Sequence, residues 1–120
     1  MIRRAGLGLA LALLCACSGE DTQAPPQDPS RPYVISAIDY HFHDAHPTEE
    51  LAPDREIVVS NQGRNVHNVT IEGTGYSVDV QPGERLSLGP AGVRFPPGRS
   101  AIVCRYHADR GMSGTILVAG

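Results

Sequence analysis

From residue 33 to residue 120 the chain alternates apolar and polar positions in short runs, with Gly- and Pro-containing segments between them. Val34, Ser36, Ile38, Tyr40 and Phe42 fall on one face of an extended chain, and Ile35, Ala37, Asp39, His41 and His43 on the other. This period of two predicts a first strand. Residues 44–54, with Pro47 and Pro53, read as a connection, and 55–61 as a second strand closed by Asn61-Gln62-Gly63. A third strand over 66–72 ends at Gly73-Thr74-Gly75. Residues 76–80 alternate again, and Gln81-Pro82-Gly83 turns the chain into 84–88. The stretch 89–98 leaves room for at most a short strand at 93–95, and 99–104 and 113–119 form the last two strands. Short strands separated by turn signals, with no helical period of any length, predict an all-β sandwich.

The first 32 residues follow a different pattern. Met1-Ile2-Arg3-Arg4 precedes an apolar run from Ala5 to Leu14 that is too short for a permanent bilayer span. It reads as a secretory signal over 1–16 ending in Leu14-Cys15-Ala16-Cys17, which resembles a bacterial lipobox with Cys17 as the lipidated residue. Cys15 fits less well because Leu14 would precede it. The alternative is an ordinary signal with an incidental Cys. Residues 17–32 carry Gly19, Pro25, Pro26, Pro29 and Pro32 among acidic residues and read as an extended tether to a membrane surface. Residues 33–120 then make one domain with a modest core.

Charge narrows the partners. The chain has 10 basic residues, all Arg, against 13 acidic ones. Removal of 1–16 takes Arg3 and Arg4, leaving eight against thirteen, a net −5, which argues against nucleic acid. Cys15 leaves with the signal and Cys17 is acylated, so the domain keeps the single thiol of Cys104 and no internal disulfide. An exposed thiol outside the cytoplasm invites oxidation unless buried or bound to metal.

Cys104 opens the segment Cys104-Arg105-Tyr106-His107-Ala108-Asp109-Arg110-Gly111-Met112. The spacing C-x2-H-x4-M puts a thiolate, an imidazole and a thioether on one loop, and His67 offers a second imidazole. Two His, one Cys and a weak axial Met suit copper in both oxidation states, since sulfur favours Cu(I) and imidazole accepts either. A structural zinc site would use four strong nitrogen or sulfur ligands, and no second Cys lies near. Cys104 shares strand parity with Ser100 and Ile102, so it is expected to face inward. Gly111 and Gly114 permit a tight return of the loop into the last strand.

The segment from Gly98 through Cys104 to Val118, with His67-Asn68, resembles the plastocyanin-like cupredoxins in motif, loop length and flanking strands. The resemblance covers roughly 33–120 and is weakest over 73–97. It implies a Greek-key β-sandwich binding one copper ion through His67, Cys104, His107 and Met112. It also implies that the Asn68 side chain bonds across to the Cys-bearing loop and that a backbone N–H there donates to the Cys sulfur, contacts that fix and tune the metal. Two departures stand out: Val66 and Tyr106 occupy places where plastocyanins have Pro before a ligand His. The Val66 carbonyl is an alternative axial donor.

His41, His43 and His46 are a possible weak second metal site, with a polar solvent face as the plainer reading. The expected function is electron transfer by Cu(II)/Cu(I) cycling in a monomeric, lipid-anchored, extracytoplasmic protein that is not an enzyme. Its expected partners are redox proteins with an acidic docking surface, because Arg105, Asp109 and Arg110 close to His107 in sequence, with Arg64 three residues before His67, sum to +2. Copper delivery or storage competes with this reading, as does a metal-free interaction lipoprotein.

Overall fold

The computed structural model describes residues 25–120, so the signal and the Cys17 lipobox lie outside the described residues. Two sheets pack face to face. One holds β1 (Tyr33–Ile38), β2 (His41–His43), β4 (Glu56–Asn61) and β7 (Arg85–Pro90) in the order β2-β1-β4-β7. The other holds β3 (Glu50–Leu51), β5 (His67–Ile71), β6 (Tyr76–Val80), β8 (Gly98–Val103) and β9 (Ser113–Val118) in the order β3-β9-β8-β5-β6. The chain changes sheet five times, between β2 and β3, β3 and β4, β4 and β5, β6 and β7, and β7 and β8. Both sheets are mixed, because β1 runs parallel to β4 and β3 parallel to β9.

The alternation of β1 sends Tyr33, Ile35 and Ala37 into the core, where Ile57, Val59, Leu88, Val69, Ile71, Ile102 and Ile116 from both sheets meet them. Full burial of each such side chain contributes about 1.5–3 kcal/mol of transfer free energy. Tyr33 is the polar exception in the β1 row. Its hydroxyl donates to the Asp44 carbonyl, and burial pushes the phenol up to about 12.

Three details differ from the sequence reading. The first strand predicted over 34–43 is a hairpin, β1 and β2, reversed at Asp39-Tyr40 with Tyr40 at φ 71°. Ala37 pairs with Phe42 in this hairpin, so Phe42 is buried on the face of Ala37 and not on that of Val34. A two-residue reversal inverts the parity on which the alternation argument depends. The short strand expected at 93–95 is a single helical turn, α1 (Ala91–Arg94), which leaves Val93 exposed and seats Phe95 in the core. The connection 44–54 contains β3, which pairs with β9 at Glu50↔Leu117 and Leu51↔Val118.

The end of the predicted tether is bound to the domain. The side-chain amide of Gln27 accepts from the Val34 N–H and donates to the Val34 carbonyl, both at 2.8 Å, as a neighbouring strand would. Arg55, 8% exposed, donates to the carbonyls of Arg31 and Asp28 at 3.1 and 2.8 Å and pairs with Glu49 at 3.0 Å. Among the described residues, the domain therefore includes the segment from Gln27 to Arg31. A side-chain mimic of strand pairing and a single buried guanidinium produce no periodic signal by which the sequence could reveal this.

Candidate metal centre

Strand pairing brings the ligand candidates together. β5 and β8 are antiparallel neighbours with Thr70↔Val103 and Ile71↔Ile102, so His67 at the start of β5 lies beside Cys104 just past the end of β8. Ser100, Ile102 and Cys104 are all buried, as their shared parity requires. Beyond Cys104 the loop folds back on itself. The His107 N–H donates to the Cys104 carbonyl at 3.1 Å, the Met112 N–H to the His107 carbonyl at 3.2 Å, and the Cys104 N–H to the Met112 carbonyl at 3.0 Å. A 3-10 turn at Ala108–Arg110 fills the interval and ends in Gly111, whose φ of 77° suits a residue without Cβ. Gly114 then lets β9 pass under residue 45: a Cβ there would stand 2.5 Å from the Ala45 Cβ and 2.6 Å from its carbonyl oxygen.

Three donor atoms converge. His67 Nδ1 and His107 Nδ1 are 3.3 Å apart, Cys104 Sγ is 3.4 Å from His107 Nδ1 and 4.0 Å from His67 Nδ1. Nitrogen and thiolate ligands bind first-row metals at about 2.0–2.3 Å, which in a trigonal plane separates the donors by about 3.5–3.8 Å, close to the spacing seen. His67, Cys104 and Met112 are fully buried, and Met112 packs in the same apolar cluster as Cys104. His107 keeps part of its ring at the surface. Burial lowers the pKa of His67, the neighbouring His107 adds to the shift, and Asp39 opposes both. The direction favours the neutral imidazole that a metal ion binds. A buried thiol and two imidazoles facing each other across such distances, with a thioether in the same core, fit one type 1 copper ion.

The surroundings supply further contacts. The Asn68 N–H donates to Cys104 Sγ at 3.3 Å, and the Asn68 side chain accepts from the Arg105 N–H at 3.5 Å. Val66 is half-buried and precedes β5. The Nε2 atom of His67 is buried without a hydrogen-bond partner. A Cβ on Gly63 would lie 3.2 Å from that atom and 3.0 Å from Asp39 Oδ1. On its outer side the His107 ring meets the Tyr40 ring edge-on at 4.9 Å, and the Arg110 guanidinium stacks on Tyr40 at 4.5 Å.

His41, His43 and His46 are not gathered in the same way. The rings of His41 and His43 stand 5.9 Å apart on the exposed face of β2, and His46 turns to Thr48 and to Asp44, 3.9 Å away. Among the described residues, His67, Cys104 and His107 are the one group of three or more His, Cys, Asp or Glu side chains placed to share an ion.

Sequence reasoning missed Tyr40, Asp39 and Asp79. Tyr40 and Asp39 were placed mid-strand, and they reach the centre only because the chain reverses there. Asp79 falls within the alternating run 76–80, where nothing in the sequence singles it out. Its importance comes from the cross-strand pairing Asn68↔Asp79, and a single sequence does not give register.

No family model matches the sequence, and no curated protein does. Solved structures do match. A mutant amicyanin in its Cu(I) form superposes with a TM-score of 0.57 at 16% identity, over 79% of this chain and 87% of that one. A mutant plastocyanin of fern gives 0.57 at 14%, over 71% of this chain and 98% of that one. A copper-containing nitrite reductase from Thermus scotoductus gives 0.56 at 14%, over 74% of this chain but only 22% of its own length. The fold is the cupredoxin β-sandwich.

Proposed function

We propose that the protein is a membrane-tethered, extracytoplasmic type 1 copper protein that passes single electrons between redox partners. The observation that carries this reading is the unequal exposure of the donors: His67, Cys104 and Met112 are sealed, and His107 alone reaches the surface. Copper held there would supply the one-electron couple Cu(II)/Cu(I).

The chain contributes constraint. The backbone bonds among Cys104, His107 and Met112 fix the loop that carries three of the ligands, and β5 fixes the fourth. Little has to move between oxidation states. The Asn68 N–H on Cys104 Sγ holds the sulfur's direction and draws charge from it. Core burial keeps water from His67, Cys104 and Met112. The half-exposed His107 edge is the shortest route to a docked partner.

The partner proposed is a redox protein with an acidic docking face, met by a monomer. Arg110, stacked on Tyr40 beside the His107 ring, and Arg64, three residues before His67, supply the positive charge, while Arg105 is 3.9 Å from Asp79 and offers less field than its charge alone implies. The membrane tether rests on Cys17 and the lipobox. Among the described residues no helix is long and apolar enough to cross a membrane.

The test is repeated stoichiometric reduction and reoxidation of the copper-loaded protein by small one-electron reagents. Full recovery of the coloured oxidised form over many cycles is expected. Loss of copper on each reduction would favour delivery or storage instead.

A further inference from the structure

Tyr106 immediately precedes His107, at a place where the resemblance above has Pro. A proline ring fixes φ by itself, whereas a tyrosine leaves the loop free unless its side chain is gripped. Tyr106 is 44% exposed, yet its hydroxyl is committed: it donates to Asp79 Oδ2 at 2.6 Å and accepts from Arg105 Nη2 at 3.1 Å. The other oxygen of the same carboxylate, Asp79 Oδ1, accepts from Asn68 Nδ2 at 2.9 Å. Asn68 in turn gives its backbone N–H to Cys104 Sγ and accepts the Arg105 N–H. The bonds close a ring through three segments, from Cys104 to Asn68 on β5, to Asp79 on β6, to Tyr106 on the loop and back along the chain to Cys104.

We propose that Asp79 and Tyr106 are a latch of two positioning residues, which sets the ligand loop against β5 and β6 and thereby aims the Asn68 N–H at the Cys104 sulfur. Neither residue touches the ion. Asp79 can serve because it is charged: its two oxygens face one donor from the loop and one from Asn68, and bonds to an ionised acceptor are about twice as strong as neutral ones. Those two bonds also hold its carboxyl below the usual carboxylate range, with Tyr106 the larger cause. The ring is consistent with the exposure of Tyr106, because a latch at the rim leaves the buried donors undisturbed.

The latch rests on the copper reading for its consequence but not for its existence, and the experiment separates the two. Tyr106→Phe, Asp79→Asn and the double variant are compared with the parent in two states. In the copper-free protein, amide hydrogen exchange at Asn68 and Arg105 is expected to quicken about tenfold in either single variant and no further in the double. In the copper-loaded protein, release of copper to a chelator should quicken by a similar factor, and the thiolate-to-copper band should shift with Tyr106→Phe, a change that removes no charge. Unchanged exchange in both single variants, or effects that simply add in the double, would overturn the latch. A shift of the band with Asp79→Asn alone would also overturn it, because only the charge would then matter. A parent that takes up no copper would defeat the copper reading, and the exchange comparison would still decide the latch.

Discussion

Each end of the sandwich buries polar groups, and the two ends do so in opposite ways. β4 connects them, six residues or about 20 Å long at the usual strand rise. At its start Arg55 is enclosed, and its guanidinium meets the carbonyls of Asp28 and Arg31, the Glu49 carboxylate and the face of Tyr33 at 5.1 Å. At the far end His67 and Cys104 are enclosed at least as deeply, but their donor atoms converge with that of His107 at 3.3–4.0 Å, and His67 Nε2 has no partner. A satisfied buried charge holds structure together. Donors that face one another, where each would gain by facing away, lose stability in the empty protein and recover it when an ion binds. Burial alone does not separate structural from functional polar groups; the direction in which their atoms point does.

Substitution at each end should sharpen that contrast. Cys104→Ser has the largest effect on the metal end: the intense colour of the Cu(II) complex should vanish, while the apo protein keeps its strand content by circular dichroism. Persistence of the coloured band would remove the thiolate from the centre. Arg55→Ala should do the reverse. Removing the guanidinium leaves two carbonyls and Glu49 without their partner, costing about 2–4 kcal/mol by denaturant unfolding and freeing the segment around Asp28 to proteolysis, with the copper spectrum unchanged. A change in the spectrum would mean that the two ends are coupled through β4. Met112→Leu is the mildest. It should cost under about 1.5 kcal/mol because the volume is nearly conserved, and it should keep the colour. The reduction potential should rise, because an apolar group in place of a weak axial donor disfavours the higher charge of Cu(II). An unchanged potential would leave the axial place to another donor, such as the Val66 carbonyl.

The centre was legible because its loop is local. Three of the four ligands lie within nine residues, and their order and spacing are chemistry that a sequence displays directly. The strands were legible where one face is buried without interruption, as in 55–61 and 99–104. What stayed hidden depends on pairing between segments. The reversal at Asp39-Tyr40 contains no Gly to mark it, and it placed Phe42 on the wrong face and both residues far from the site. The Asn68↔Asp79 register exists only once β5 and β6 are aligned. The short strand β3 has two residues, too few for any period, and is defined by its neighbour β9. The clasp on Gln27 and Arg31 lay in a stretch whose prolines and acids read as a free tether. Composition describes what a segment does alone, and Arg55 lies 24 residues beyond Arg31.

Binding of a single copper ion by the facing donors of His67, Cys104 and His107 is measured by titrating the purified, reduced protein with Cu(II) while recording the visible spectrum. The prediction is an intense thiolate-to-copper charge-transfer band that grows linearly and stops at one equivalent. No such band, or a weak one that keeps growing past one equivalent through surface histidines such as His41 and His43, would contradict it.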